Sequence, residues 1–224
     1  MLHTGKMPVP RPAPLGVVGW LDLRSDRLDA DLDEFAGNPL LRGLRHVLQD
    51  EPDGFMLAPE FLRGVGKLRA RGLTYDILIY ARQLPEACEL VRRFPDQPFV
   101  LDHLAKPLIA AGELQPWAND LRQLAAAPNV CGKLSGMVTE ADWRAWKPAD
   151  LQPYLDVGLD AFGPRRLMIG SDWPMCTLAA SYQQAMEIVT QYISRLSAGE
   201  QAGILGLNAA RFYGIAEATK GNSV

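Results

Sequence analysis

Charged side chains follow apolar segments at several points of this sequence, where they could take part in chemistry. Asp172 follows the apolar run 167–169, and the Trp173-Pro174 step behind it prevents a simple continuation of that segment. A carboxylate in this position would act as a general base toward an attacking water, with or without a bound metal. The alternative is an aspartate that caps the next helix.

A second group of polar residues lies in segment 99–107, where an apolar run acquires Asp102, His103 and Lys106. If this run is a strand, alternation places Leu101 and His103 on one face and Asp102 on the other. An inward His103 would bind a metal or polarise a carbonyl, while Asp102 would point toward the helices or a neighbouring strand. A hydrogen-bonded structural histidine is the alternative.

Arg45 and His46 alternate in the same way within segment 42–47, so only one of them faces the interior, and the pattern does not decide which. An inward Arg45 would clamp a carboxylate or lactone oxygen, and an inward His46 would donate to a substrate or hold a water. The alternative for Arg45 is a salt bridge at the rim of the fold.

Lys133 lies in the apolar segment 130–134, where an ammonium group is costly unless an anion or a developing oxyanion faces it. Asp76 is a further charged residue near the end of an apolar segment. Trp20 and Trp173 stand at segment ends, where they would form apolar walls for a sugar ring, although a core position is commoner for tryptophan. We therefore take Arg45, His46, Trp20, Asp76 and Trp173 as candidate substrate contacts.

The elements that must position these residues alternate between apolar and amphipathic segments. The apolar segments predict strands at 17–21, 41–47, 73–80, 98–104, 130–134 and 166–170. The amphipathic segments predict helices around 32–35 and at 61–68, 84–94, 117–124, 151–162 and 182–196, with a closing helix capped by Ser197 and Glu200. Such alternation requires parallel pairing, in a doubly wound sheet or a barrel. The lack of a nucleotide-binding glycine loop and the polar residues shared by the strand ends favour the barrel.

Composition favours a protein that acts on a small molecule. The 224 residues carry a net charge of -3, and the basic residues are scattered, so nucleic acid and anionic membrane are poor candidates as partners. Three cysteines without zinc-site spacing, and no apolar stretch of membrane-spanning length, predict a soluble cytoplasmic protein. We expect a proline-rich extended arm at 1–15, one domain at 16–215 and a tail at 216–224.

Four motifs in order resemble the amidohydrolase-related family, most closely its L-fuconolactonase-like branch of sugar lactonases. They are RGLRHVLQDEP at 42–52, FVLDHLAKP at 99–107, CGKLSG at 131–136 and GSDWP at 170–174. The resemblance implies a TIM (β/α)8 barrel of the metal-dependent hydrolase superfamily that opens a sugar-acid lactone. Asp172 would activate water, and His103 and Lys133 would contribute binding or polarisation. Decarboxylases and other cyclic-ester hydrolases in the same superfamily are the alternative reactions.

One departure from the family concerns its first two strands. The family begins with a strand that carries a His-x-His pair, and the one histidine before His46 is His3, which has no partner two residues on. The resemblance therefore implies that the first two βα units are missing, in agreement with six predicted strands where eight are needed. It leaves Asp172 and His103 as the candidate ligands of one divalent metal such as zinc, although some relatives with this site plan work without metal.

An opened barrel would have two unpaired strand edges, which favours pairing with another copy of the chain in a homo-oligomer. An inactive truncated fragment is the alternative to an active lactonase, and a natural short form is the alternative to a truncation.

Overall fold

The protein is described by a computed structural model that covers residues 13–215. The proposed tail at 216–224 and most of the proposed arm at 1–15 lie outside these residues. The strands are β1 (Val17–Gly19), β2 (Leu41–Val47), β3 (Thr74–Leu78), β4 (Phe99–Leu101), β5 (Val130–Leu134) and β6 (Leu167–Ile169). All six strands predicted from the apolar segments are present, and several are shorter than predicted.

The strands form one sheet in the order β1-β2-β3-β4-β5-β6, and every neighbouring pair is parallel. The sheet is curled, because Val17 and Val18 of β1 and Met168 and Ile169 of β6 line the same cavity. The architecture is therefore a partial TIM barrel, as the alternation of segments predicted.

Helices cover the outer face of the curled sheet. They are α1 (Leu28–Glu34), α2 (Pro59–Val65), α3 (Leu84–Arg93), α4 (Trp117–Ala125), α5 (Pro148–Phe162), α6 (Tyr182–Ile193), α7 (Ala198–Ala202) and α8 (Asn208–Phe212). The predicted cap of the closing helix is confirmed, since the Ser197 hydroxyl accepts from the amide of Glu200 and the Glu200 side chain accepts from the amide of Ser197. A single wide turn of π-helix at 203–207 joins α7 to α8. No helix within residues 13–215 combines the length and the apolar character needed to cross a membrane.

Apolar side chains between the sheet and the helices form the core. Strands β2 to β6 contribute to it, and the large residues Phe61 of α2, Tyr75 of β3 and Phe99 of β4 are fully buried and stack edge to face. Helix α2 lies so close to the chain near Leu23 that a methyl group on Gly64 would meet the Leu23 carbonyl oxygen at 2.1 Å. Glycine at position 64 therefore determines how closely α2 packs.

Strand β4 ends three residues earlier than predicted, and this difference shapes the site. His103, Leu104, Ala105 and Lys106 all have positive φ, between 47° and 60°. Four successive left-handed residues cannot continue a strand, because a strand needs extended backbone. The chain therefore turns sharply at Asp102, and the alternation of side chains expected for a strand stops there.

Candidate active site

A cavity of about 460 Å³ opens at the carboxyl ends of the strands. Five of the candidate site residues line it, and five further polar residues join them. The candidates are Arg45, His103, Lys133, Asp172 and Trp173, and the others are Arg42, Asp102, Ser135, Ser171 and Tyr213. Carboxyl ends of parallel strands are the face where barrel enzymes hold their substrates.

Asp172 and His103 lie side by side in this cavity. The His103 Nε2 atom is 3.4 Å from Asp172 Oδ1, and Nδ1 is 2.8 Å from the hydroxyl oxygen of Ser135. Burial lowers the pKa of His103, so the ring is neutral near pH 7. With its proton on Nε2, the neutral ring donates toward Asp172 and accepts from Ser135, which satisfies both contacts.

The backbone holds Asp172 in an unusual conformation. Its φ is 55°, a left-handed value that is uncommon for residues other than glycine, and the peptide bond between Trp173 and Pro174 that follows is cis. Asp172 Oδ2 is buried and has no hydrogen-bond partner within residues 13–215. An unpaired buried carboxylate oxygen can accept a hydrogen bond from a bound water or substrate.

The position of His103 depends on close contact with Gly136. Gly136 has φ of 66°, and a Cβ atom built on it would lie 2.8 Å from His103 Cγ and Nδ1. Only glycine combines this backbone conformation with the room that the imidazole needs. The segment after β5 therefore supplies both the Ser135 hydrogen bond and the surface against which His103 packs.

Lys133 lies between two buried carboxylates. Its Nζ atom is 2.6 Å from Asp76 Oδ2 and 2.7 Å from Asp102 Oδ1. Burial opposes the charge on the ammonium, but Asp102 and Asp76 outweigh it and raise the pKa of Lys133 above its ordinary value. Lys133 is therefore cationic at neutral pH, and it remains partly accessible from the cavity.

The two carboxylates differ in how they ionise. Burial raises the pKa of Asp76 to about 6, and Lys133 acts in the opposite direction. For Asp102, burial also opposes ionisation, but Lys133, His103 and Arg45 prevail and lower the pKa. Arg45 Nη1 donates to Asp102 Oδ2 at 3.0 Å. The Asp102 carboxylate therefore bridges Arg45 and Lys133.

Asp102 and His103 lie on the same side of the chain, where alternation predicts opposite sides. We expected it to point away from the cavity if His103 faced inward, but both side chains line the cavity. The left-handed turn that begins at His103 is the reason, because it brings His103 to the face on which Asp102 already lies. Asp102 itself follows strand alternation, since it lies two residues after Val100, which is in register with Asp76 and Arg45.

The structure decides between Arg45 and His46. Arg45 lines the cavity, whereas His46 is buried on the opposite face of β2, with its ring 5.2 Å from that of Phe55 and Nε2 2.7 Å from Glu51 Oε1. Trp20 is also absent from the cavity lining and lies 6.1 Å from the His46 ring, with 60% of its surface exposed. His46 and Trp20 are therefore separated from the cavity that holds the other candidates.

Asp76 and Trp173 differ in how far they are exposed. Asp76 is almost fully buried beneath Lys133, so it reaches a substrate only through that lysine. Trp173 is two-thirds exposed and lines the cavity. Tyr213, just after α8, donates from its hydroxyl to Asp76 Oδ2 at 2.7 Å. Tyr213 lies far from every strand in sequence, so the segment pattern contained no signal for it.

The candidate metal ligands do not by themselves make a metal site. Asp172 and His103 are close together, but residues 13–215 contain no group of three or more His, Cys, Asp or Glu residues that could hold a metal ion. Zinc sites use three or four protein ligands. The donors in the described part of the chain are therefore too few to fit a metal.

Comparisons with known proteins agree with the resemblance seen in the motifs. The model of the Amidohydrolase family matches residues 9–215. An L-fucono-1,5-lactonase of Burkholderia multivorans is 46% identical over 213 residues, which cover 90% of this chain and 72% of that protein. An L-fucono-1,5-lactonase of Burkholderia ambifaria is 38% identical and is matched over 89% of this chain and 70% of its own length.

Solved structures give the same result for the fold. The structure of a Burkholderia multivorans amidohydrolase with bound zinc has a TM-score of 0.86 and 46% identity, with 90% of this chain and 74% of that chain covered. At this similarity the two chains share the barrel architecture and the order of its strands. The zinc belongs to that structure, and its presence is consistent with a divalent metal in the family.

Proposed function

The chain belongs to the amidohydrolase family, and on that premise we propose that it is a hydrolase that opens a sugar-acid lactone of the L-fuconolactone kind. The two Burkholderia relatives are L-fucono-1,5-lactonases, and they match nearly the whole of this chain. Hydrolysis of the ring ester converts such a lactone into the open-chain sugar acid.

One observation carries the proposal: a carboxylate with an unpaired buried oxygen and a neutral imidazole share a cavity with two cations. Asp172 Oδ2 is the unpaired oxygen, and Asp172 Oδ1 is 3.4 Å from His103 Nε2. Lys133 and Arg45 line the same cavity. Ester hydrolysis needs a base for water and positive charge for the oxyanion, and this arrangement supplies both.

The first step of the proposed reaction is attack of water on the ring carbonyl carbon. Asp172 takes one proton from the water while the new carbon–oxygen bond forms. The carbonyl oxygen becomes an oxyanion, which the ammonium of Lys133 stabilises, and the Nε2–H of His103 turns from Asp172 to the oxyanion once Asp172 is protonated. Arg45 provides a further cation, although Asp102 already engages one of its nitrogens.

The second step is collapse of the tetrahedral intermediate. The bond between the former carbonyl carbon and the ring oxygen breaks, and the ring oxygen leaves as a hydroxyl by taking the proton from Asp172. The product is a sugar acid that ionises at neutral pH, so each turnover releases one proton. Trp173 at the cavity mouth would pack against the apolar face of the sugar ring.

Substitution of Asp172 tests this assignment. Asp172→Asn keeps the shape of the side chain but removes the base, and we expect kcat to fall by about 10²-fold or more. Activity is measured as proton release from a panel of sugar-acid lactones, corrected for spontaneous opening. Asp160→Asn, on an exposed aspartate of α5 that pairs with Arg122, is the matched control and should retain wild-type turnover.

Two outcomes would contradict the proposal. Unchanged turnover in Asp172→Asn would remove Asp172 as the base. Absence of turnover by the wild-type chain on every lactone of the panel, with a folded protein shown by circular dichroism, would remove the lactonase function.

A further inference from the structure

Tyr213 connects the carboxyl-terminal segment to the buried charges of the site. It follows α8, and its hydroxyl donates to Asp76 Oδ2 at 2.7 Å, a contact between residues 137 positions apart. Its ring centroid is 5.7 Å from Lys133 Nζ. One side chain thus touches the carboxylate and the ammonium at once, and it also lines the cavity.

Asp76 relies on one oxygen for all of its hydrogen bonds. Oδ2 accepts from both Lys133 and Tyr213, whereas Oδ1 is buried and has no hydrogen-bond partner in the described part of the chain. The orientation of this carboxylate therefore depends on the two donors that share Oδ2. Tyr213 is the second of these donors.

Lys133 has a flexible four-carbon stem, so its ammonium needs fixed partners to stay in one place. Asp76 lies beneath it and Asp102 beside it, at 2.6 Å and 2.7 Å. The Tyr213 ring covers a further side at a distance suited to a cation–π contact. Without the Tyr213 hydroxyl, Asp76 Oδ2 would keep Lys133 as its one donor, and the contact that fixes the ammonium from beneath would be less constrained.

Building on the proposed lactonase function, we propose that Tyr213 is a positioning residue that holds the Lys133 ammonium toward the cavity through Asp76. It makes no bond to the reacting atoms in this role. The residue that follows α8 therefore contributes to the site as well as to the packing of the barrel.

The variant that tests this role is Tyr213→Phe, which removes the hydroxyl and keeps the ring. Tyr192→Phe is the matched control, because the Tyr192 hydroxyl also donates to a carboxylate, Asp156 Oδ1, at 2.8 Å on the outer surface. A purely structural hydroxyl would affect stability alike in both variants. Two readouts depend instead on where Lys133 is held.

The first readout requires no turnover. In ¹⁵N-labelled protein, the ammonium protons of Lys133 should give a resolved signal, because two carboxylates hold them, and Lys133→Arg identifies that signal by its loss. We expect the signal to disappear in Tyr213→Phe and to persist in Tyr192→Phe.

The second readout is the division between kcat and KM on a lactone that the wild-type chain hydrolyses. Misplacing a group that acts on the transition state lowers kcat, so Tyr213→Phe should reduce kcat by about 10-fold. KM should stay within about twofold of the wild-type value, because substrate binding in the ground state changes little. Tyr192→Phe should match the wild-type protein in both constants.

Retention of the Lys133 signal in Tyr213→Phe would overturn the positioning role, whatever the activity. Loss of the signal with an unchanged kcat would also overturn it. If the wild-type chain hydrolyses no lactone, the proposed function fails, but the ammonium signal still decides whether Tyr213 holds Lys133.

Discussion

Replacement of Gly136 by alanine should disable the site through one side chain, His103. Gly136 follows Ser135 and has φ of 66°, and the new methyl group would lie 2.8 Å from His103 Cγ and Nδ1. Ordinary carbon contacts begin near 3.4 Å. The imidazole must therefore move by roughly 0.6 Å, because the packed core around it yields little.

Two costs are expected, and a second glycine separates them. An alanine in left-handed conformation costs about 1–2 kcal/mol, and overpacking a filled space costs about 1–3 kcal/mol more. Gly112 has nearly the same φ, 69°, but no atom of residues 13–215 lies within 4 Å of the place that a methyl group on it would take. Gly112→Ala should therefore show only the backbone cost, and Gly136→Ala should show both.

Stability and activity are measured on the two variants together. Thermal unfolding should shift by about 2–4 °C for each kcal/mol in a chain of this size. Displacement of a catalytic group by up to 1 Å costs as much as about 10²-fold in rate, so Gly136→Ala should lose about 10-fold or more in kcat/KM. Gly112→Ala should keep wild-type kcat/KM. Equal stability and equal activity in the two variants would refute the view that Gly136 fixes the position of His103.

Two further predictions concern the buried charges and the packing of α2. Because the pKa of Asp76 is raised to about 6 in the folded chain, its protonated form favours folding, and this contribution is lost as pH rises from about 4 to 6. Asp76→Asn should lack that loss, so its free energy of unfolding in urea, relative to that of the wild type, should increase by about 2 kcal/mol from about pH 4 to pH 6. A difference that stays constant with pH would contradict the raised pKa of Asp76. Gly64→Ala should destabilise the fold by about 3 kcal/mol or more, since its methyl group would meet the Leu23 carbonyl, whereas Gly199→Ala in α7 meets nothing and should stabilise by about 0.5–1 kcal/mol. Thermal unfolding checks this pair, and similar shifts for the two variants would contradict the packing of α2.

Much of the fold is predictable from the sequence because local patterns determine it. Apolar strands and amphipathic helices differ in period, and their alternation implies parallel pairing whatever the detailed packing. The polar residues at the strand ends then share one face, which places Asp172, His103, Lys133 and Arg45 in one cavity. The Ser197 and Glu200 cap is local as well, and it is present as predicted.

Other features of the site depend on contacts that are remote in sequence. Strand alternation predicts that Arg45 and His46 lie on opposite faces of β2. Which of these faces points into the cavity depends on the helices that cover the other face of the sheet. His103 shares the cavity with its neighbour Asp102 because the backbone turns left-handed at His103. No pattern of side chains signals four such residues in a row.

The sequence alone therefore determined the elements, their parallel order and the face that carries the chemistry, since these follow from periodicity and chain direction. The tertiary structure decided the electrostatics. Lys133 is separated from Asp76 by 57 residues, and Tyr213 is separated from Asp76 by 137. A charged side chain in an apolar strand is costly unless it has partners of opposite charge. For Lys133, those partners come together only when the barrel curls.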